Sequence, residues 1–166
     1  DNLYILSNEK LVRNNSIHPE NIIYKDHVNW FQKVLSDEKY LILVVEQGGG
    51  FVGQVKFNLD NTSATISLSL NDSQRGKGIG SRIILESVEF LINLKYGLHD
   101  IIAYIKNDNI ASIKSFEKAG FVYMDLEDVN GINLSRYAKI IDGREWVTYI
   151  IAELSANHNH SIETAK

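Results

Sequence analysis

Between Phe51 and Leu59, apolar Val55, Phe57 and Leu59 alternate with polar Gln54, Lys56 and Asn58. This is the two-residue period of a strand with one buried face. Before it, Tyr40 to Val45 is short, apolar and β-branched and predicts a second strand. Gly48, Gly49 and Gly50 lie between the two, so together they predict a hairpin. Asp60-Asn61-Thr62 supplies turn chemistry ahead of a third strand over 64–70, and an antiparallel meander is the simplest arrangement of the three. Upstream, Val28, Phe31, Val34 and Leu35 share one face of a short amphipathic helix over 26–35. Downstream, Ile84, Val88 and Leu91 recur at helical spacing over 81–96, a helix closed by Gly97. A strand over 100–105 follows, then a helix over 110–119 with Asn109 as its N-cap and Gly120 as its stop. Strands over 121–124 and 146–154 and a polar tail over 155–166 complete the reading.

The hairpin settles the meaning of one motif. Gly48 to Gly53 spells GxGxxG, the fingerprint of a dinucleotide-binding turn. That fingerprint has physical content only where a helix follows and offers its free N–H groups to a pyrophosphate. Here a strand follows, so these glycines turn a hairpin. The order strand, glycine loop, helix occurs instead at Arg75-Gly76-Lys77-Gly78-Ile79-Gly80, directly before the helix that starts at Ser81. The three glycines let backbone N–H groups converge on an anion, the helix dipole favours its charge, and Arg75 and Lys77 add positive charge. The pattern GxxxxGK[ST] is absent, so this is an anion cradle but not a Walker loop.

Composition narrows the classes. A chain of 166 residues can bury a single-domain core without staples. With 17 basic against 21 acidic residues and a net charge of −4, it lacks the basic footprint of a nucleic-acid binder. The absence of cysteine excludes disulfides, thiolate ligands and a thiol nucleophile. No apolar run approaches a membrane span and the first residues lack signal-peptide features, which gives the expectation of a cytoplasmic protein without a membrane partner. His158 and His160 stand in the polar tail without further ligands, so no metal site is expected.

One strand and one helix after the glycine loop comes Asn109-x-x-Ser112-x-x-x-Phe116-x-Lys118-x-Gly120-Phe121. Together with RxxGxG at Arg75–Gly80, this resembles the GNAT (Gcn5-related) N-acetyltransferase family from about Asp1 to Leu154. The resemblance implies an α+β fold: a mostly antiparallel central sheet flanked by helices, with strand 64–70 splayed from strand 100–105. It implies acetyl-CoA as cofactor, with the pyrophosphate on Arg75, Gly76, Lys77, Gly78, Ile79, Gly80 and Ser81. The pantetheine arm would follow Leu68, Ser69 and Leu70, with Asn109, Ser112 and Phe116 on the opposite side. It further implies a domain over 1–154 whose first strand would precede Asp1, either as a homodimer or as part of a longer bifunctional chain.

Two positions depart from the family pattern. Phe116 stands where many relatives carry a tyrosine acid, and Thr65 where many carry a glutamate. The proton path must then run through water or another group. His27 is the candidate by residue type, against the alternative of a packed histidine, and Tyr104 and Tyr123 are candidate acids or packing residues. In the N-terminal third, Asn8-Glu9-x-x-Val12-Arg13-x-x-Ser16, His27-x-x-Trp30-Phe31 and Gly53-Gln54-Val55-Lys56-Phe57 are similar to the branch that acetylates nucleotide-linked 4-amino-deoxy sugars of nonulosonic acid pathways. That likeness implies an acceptor site of Arg13, Ser16, His27 and Trp30, with Arg13 and His27 on a nucleotide phosphate and Trp30 lining the sugar pocket. A protein N-terminus, a polyamine or an antibiotic is the alternative acceptor. A regulatory module that binds acetyl-CoA without turnover is a third reading, motivated by Phe116 and Thr65.

Overall fold

Alternation along 51–59 and the glycines before it give the first two strands. In the computed structural model, which describes residues 2–94 and 97–141, β1 (Tyr40–Gln47) and β2 (Gly50–Asp60) form an antiparallel hairpin with Gln47 opposite Gly50. Gly48 and Gly49 have φ of 59° and 77°, the two positive values that a two-residue turn matching strand twist demands. The dinucleotide motif is therefore a hairpin turn. β3 (Ser63–Leu70) pairs with β2 along its whole length.

A loop containing a short 3-10 turn at Asp72–Gln74 leads to α4 (Gly80–Leu94). β4 (Asp100–Lys106), α5 (Ile110–Lys118), β5 (Val122–Val129) and β6 (Ile132–Ile140) follow. The sheet order is β1-β2-β3-β4-β6-β5, antiparallel throughout except at β3–β4. That parallel contact is short: only Ser63–Thr65 pair with Asp100–Ile102. β3 then runs on to Leu70 and β4 to Lys106, so the two strands splay as the family resemblance implies.

One face of the sheet buries Val55, Phe57, Ile66 and Ile101 against Ile84, Val88 and Leu91 of α4, and Phe116 of α5 joins the same core. Each such side chain, fully buried, contributes about 1.5–3 kcal/mol of transfer free energy. On the helical side of this core Gly80 permits a close approach, since a Cβ there would lie 3.1 Å from Ser115 Oγ of α5.

The other face is approached by three N-terminal helices: α1 (Asn2–Ser7), α2 (Lys10–Asn15) and α3 (Tyr24–Leu35). The helix predicted from Asp26 starts two residues earlier, and its buried residues are His27 and Val34, whereas Leu35 is exposed. Neither α1 nor α2 is visible in the hydrophobic pattern, because six residues are too few to establish a period. Tertiary contacts hold them. Leu6 is buried, Arg75 pairs with Glu9 just before α2, and Lys106 Nζ donates to the Asn14 carbonyl near its end at 2.6 Å. α2 thus bridges the far ends of the two splayed strands. The predicted strand over 146–154, the tail over 155–166 and the helix end at Lys95–Tyr96 lie outside the described residues.

Candidate active site

Where β3 and β4 part, backbone that would otherwise be laddered is left along Ile66–Leu70, a stretch that contains the Leu68, Ser69 and Leu70 expected to carry the pantetheine arm. Leu68 leans toward the core, its side chain 3.6 Å from where a Gly80 Cβ would stand. Ser69 lies opposite Gln54 on β2. Beyond Leu70 the chain enters the glycine loop. Gly76 and Gly78 have φ of 72° and 74°, and a Cβ at either would point into open space. That open concavity, followed by the first turn of α4 with no acidic residue in it, fits an anion such as a pyrophosphate. Ser81 is buried within this turn and Ile79 is partly so.

Three expected cofactor residues are engaged elsewhere. The Arg75 guanidinium is held between Glu9 and Asp72, the latter at 3.1 Å, so it locks the loop to α2 and is not a free cation. Asn109 Oδ1 caps α5 by accepting from the Ser112 N–H at 3.2 Å. Phe116 is only 3% exposed and packs edge-on against Phe121 at 5.0 Å, so the chain places it in the core and not along an open cofactor groove. Lys77 is exposed, and its Nζ donates to Gln74 Oε1 at 3.2 Å. An open cleft of about 590 Å³ lies beside this loop, lined by Glu9, Lys10, Leu11, Asn14, Asp72 and Arg75.

The N-terminal candidates do converge, though not as a simple phosphate clamp. Arg13 and Ser16 are bonded to each other, Nη2 to Oγ at 2.9 Å, while Nη1 donates to the carbonyls of His18 and Glu20. Arg13 therefore organises the 16–20 turn, and its Nε is buried without a partner among the described residues. His27 is 7% exposed, ringed by Tyr4, Trp30 and Phe31 with centroids 5.4–6.1 Å away. The ring is thus enclosed, as the packed alternative expects, while its Nε2 is buried without a partner among the described residues. Trp30, by contrast, is 39% exposed.

Beneath Trp30 stands a residue that sequence reasoning passed over. The Lys56 ammonium lies 5.5 Å from the Trp30 ring centroid. Burial, and after it the charge of Arg13, pushes its pKa below the ordinary lysine value. No carboxylate pairs with it among the described residues. The signal was present, since Lys56 is a cation at a polar-face position of β2 next to Gln54, which is itself buried.

On the far side of the splay, Tyr104 shares the polar face with Arg136 of β6 and Asp125 and Glu127 of β5. Its hydroxyl donates to Glu127 at 3.2 Å, and Arg136 grips Asp125 with two bonds of 2.8 and 2.7 Å. Burial first, then the Glu127 charge, raises the Tyr104 pKa, so the phenol stays protonated at neutral pH. Tyr123 is on the opposite face, edge-on to Tyr137 at 5.7 Å beside α5. Among the described residues no group of three or more His, Cys, Asp or Glu could hold a metal, and no helix is long and apolar enough to cross a membrane.

His27 carries a pH prediction. Burial, and then Lys56, lower its pKa from 6.5. The folded state then binds this proton less readily than the unfolded chain. Stability is full above the unfolded value and falls as pH drops through it. His27→Phe removes that proton and keeps the aromatic packing. Between about pH 8 and about pH 5.5 the variant should therefore lose less Tm than the parent. Thermal unfolding at the two pH values measures this, and equal losses would contradict the buried neutral imidazole.

Comparison with known proteins agrees with the fold. A family model for the acetyltransferase (GNAT) domain matches residues 1–122. The chain belongs to the GNAT acetyltransferase family. It is 27% identical over 136 residues to YwnH of Bacillus subtilis (strain 168), whose name carries phosphinothricin acetyltransferase as a provisional assignment; the match covers 76% of this chain and 80% of that protein. Among solved structures, spermidine N-acetyltransferase from Vibrio cholerae, with CoA and spermine, matches at a TM-score of 0.73 and 19% identity over 82% of this chain and 86% of that one. The aminoglycoside enzyme AAC(6')-Ib with acetyl-CoA matches at 0.74 and 20% identity over 86% and 88%. The protein is an acetyl-CoA-dependent N-acetyltransferase.

Proposed function

We propose that this enzyme acetylates the primary amine of a small acceptor that also carries an anionic group, and that the acceptor is a nucleotide-activated amino sugar. The observation that carries this reading is Lys56. It is a desolvated cation beside Arg13, on the sheet face where the N-terminal helices gather, with no carboxylate paired to it among the described residues. A phosphate would supply the missing countercharge, whereas a polyamine would meet like charge there. The exposed Trp30 above Lys56 suits a sugar or a base. The relatives named above act on other amines or are named for other amines, so the nucleotide sugar rests on this chain's residues and its N-terminal sequence pattern.

Acetyl-CoA bound in the splay supplies an activated thioester. The chain's residues then have three tasks. The loop over 75–80 and the first turn of α4 hold the diphosphate end, and the free edge of β3 aligns the arm. Lys56 and Trp30 hold the acceptor so that its amine enters the gap between β3 and β4. Such alignment accounts for about 7–11 kcal/mol of barrier lowering in well-oriented reactions, which makes a strong general base unnecessary.

The test is thiol release from acetyl-CoA with UDP- and CMP-linked 4-amino sugars, polyamines, aminoglycosides and amine-bearing peptides. Turnover confined to the nucleotide amino sugars is the expected result. A preference for spermidine or an aminoglycoside would overturn it. Saturable acetyl-CoA binding with no turnover on any amine would favour the regulatory module.

A further inference from the structure

We infer that Glu127, held by Tyr104, is the group that receives the acceptor's amine. The inference rests on the acetylation of an amine, which the family membership establishes, and not on the anionic end of the acceptor.

The argument begins with strand parity. Ile101, Ala103 and Ile105 of β4 are buried in the core under α4, so Ile102, Tyr104 and Lys106 face the other way. This is the face that α2 touches, as the Lys106 bond to the Asn14 carbonyl records. The parallel ladder to β3 ends at Ile102. Tyr104 is therefore the first residue of β4 on that face past the point where the strands part, and it stands on the rim of the gap.

Charge gives the rim its chemistry. Arg136 lies opposite Tyr104 on β6 and Asp125 opposite Arg136 on β5. The two bonds between Arg136 and Asp125 match one cation with one anion. Arg136 reaches Glu127 only at 3.4 Å. Within this trio one cation against two carboxylates leaves a net charge of −1 resting mainly on Glu127, while Lys106 of the same face gives its ammonium to the Asn14 carbonyl. The Tyr104 hydroxyl bonds to that carboxylate at 3.2 Å, and the Glu127 side chain keeps 45% of its surface open. A carboxylate fixed by a phenol on one side and open on the other is suited to an alkylammonium, which brings up to three donors and the compensating charge.

On the same sheet face, β2 carries Lys56, which feels the charge of Arg13 from α2. Lys56 and Glu127 together orient an acceptor with an anionic end and an amine end, placing the amine on the β4 side. Neither His27, which is enclosed, nor Tyr123, which faces α5, competes for this role.

Thiol release is measured with two amines, a UDP-linked 4-amino sugar and spermidine, for the parent, Glu127→Gln, Tyr104→Phe and Lys56→Met. Glu127→Gln should raise KM by about tenfold or more for whichever amine is turned over, as expected for loss of a charge-assisted hydrogen bond. KM for acetyl-CoA should stay within about twofold, a split that general destabilisation does not produce. Tyr104→Phe should give a smaller rise of the same kind. An unchanged amine KM in Glu127→Gln overturns the inference. A parent enzyme that saturates with acetyl-CoA yet acetylates neither amine overturns it as well. If spermidine is the amine turned over and Glu127→Gln still weakens it, the inference stands while the nucleotide-sugar reading fails, and Lys56→Met then has no effect on the amine.

Discussion

Gly78→Asp abolishes acetyl-CoA binding while Gly49→Asp leaves it nearly intact; this is the first expected result. The two glycines form a matched pair. Their φ values are 74° and 77°, and a Cβ at either meets nothing within 4 Å. Placing an L-residue in that region costs about 1–2 kcal/mol at both sites, so backbone strain is common to the two variants. What differs is the surroundings. At position 78 the new carboxylate stands in open space two residues before α4 begins, where it takes up room at the helix N-terminus and repels a diphosphate. At position 49 it stands at the tip of the β1–β2 hairpin. A dissociation constant raised at least about 100-fold by Gly78→Asp, against a change within about threefold for Gly49→Asp, is equivalent to more than about 2 kcal/mol of difference. Calorimetric titration with acetyl-CoA reads both, and thermal unfolding verifies that both variants fold. Equal losses would remove the cofactor from this loop.

The second large effect is expected at Lys56. Lys56→Met keeps the length and apolar contact of the side chain under Trp30 while deleting a desolvated charge that no carboxylate among the described residues balances. Two changes in opposite directions follow. The acceptor KM rises about 30-fold, the equivalent of losing about 2 kcal/mol of charge-assisted bonding to the anionic end. Stability rises by about 1 kcal/mol, because the fold no longer holds a partly buried cation that has no carboxylate partner among the described residues. Acetyl-CoA affinity is unaffected. Steady-state kinetics on the nucleotide amino sugar and a denaturant titration test the pair of effects. A variant that binds acceptor as well as the parent does would show that Lys56 is a structural lysine lying over an aromatic ring.

Most of the sheet was legible because its signals are local. The alternation of Val55, Phe57 and Leu59, the glycine pair at 48–49 and the Asn109 cap each act within a few residues, and each appears where expected. β6 was equally readable and was missed. Asn130-Gly131, with φ of 57° and 81°, is a strong two-residue hairpin signal, but the charged residues of Asp125–Asp128 masked the strand before it. α1 and α2 were not legible in the same way, since distant partners such as Arg75 and Lys106 hold them in place. The site divided along the same line. The glycine cradle is a property of six consecutive residues. The Lys56–Trp30 stack and the Tyr104–Glu127 bond depend on strand register across a sheet, which no single segment encodes. At His27 residue type suggested chemistry, while the enclosure of its ring by three aromatic side chains is a product of tertiary packing that no local pattern encodes.

The parallel contact between β3 and β4 spans three residues on each strand, and it joins two antiparallel half-sheets. So short a seam cannot by itself fix the angle between them. That angle is set from beneath, by how Ile66 and Ile101 settle against Ile84 and Val88 of α4. The aperture that admits the cofactor arm is thus a volumetric property of the hydrophobic layer. The dimensions of a polar channel on the surface of this enzyme are governed by methyl groups that no substrate ever touches.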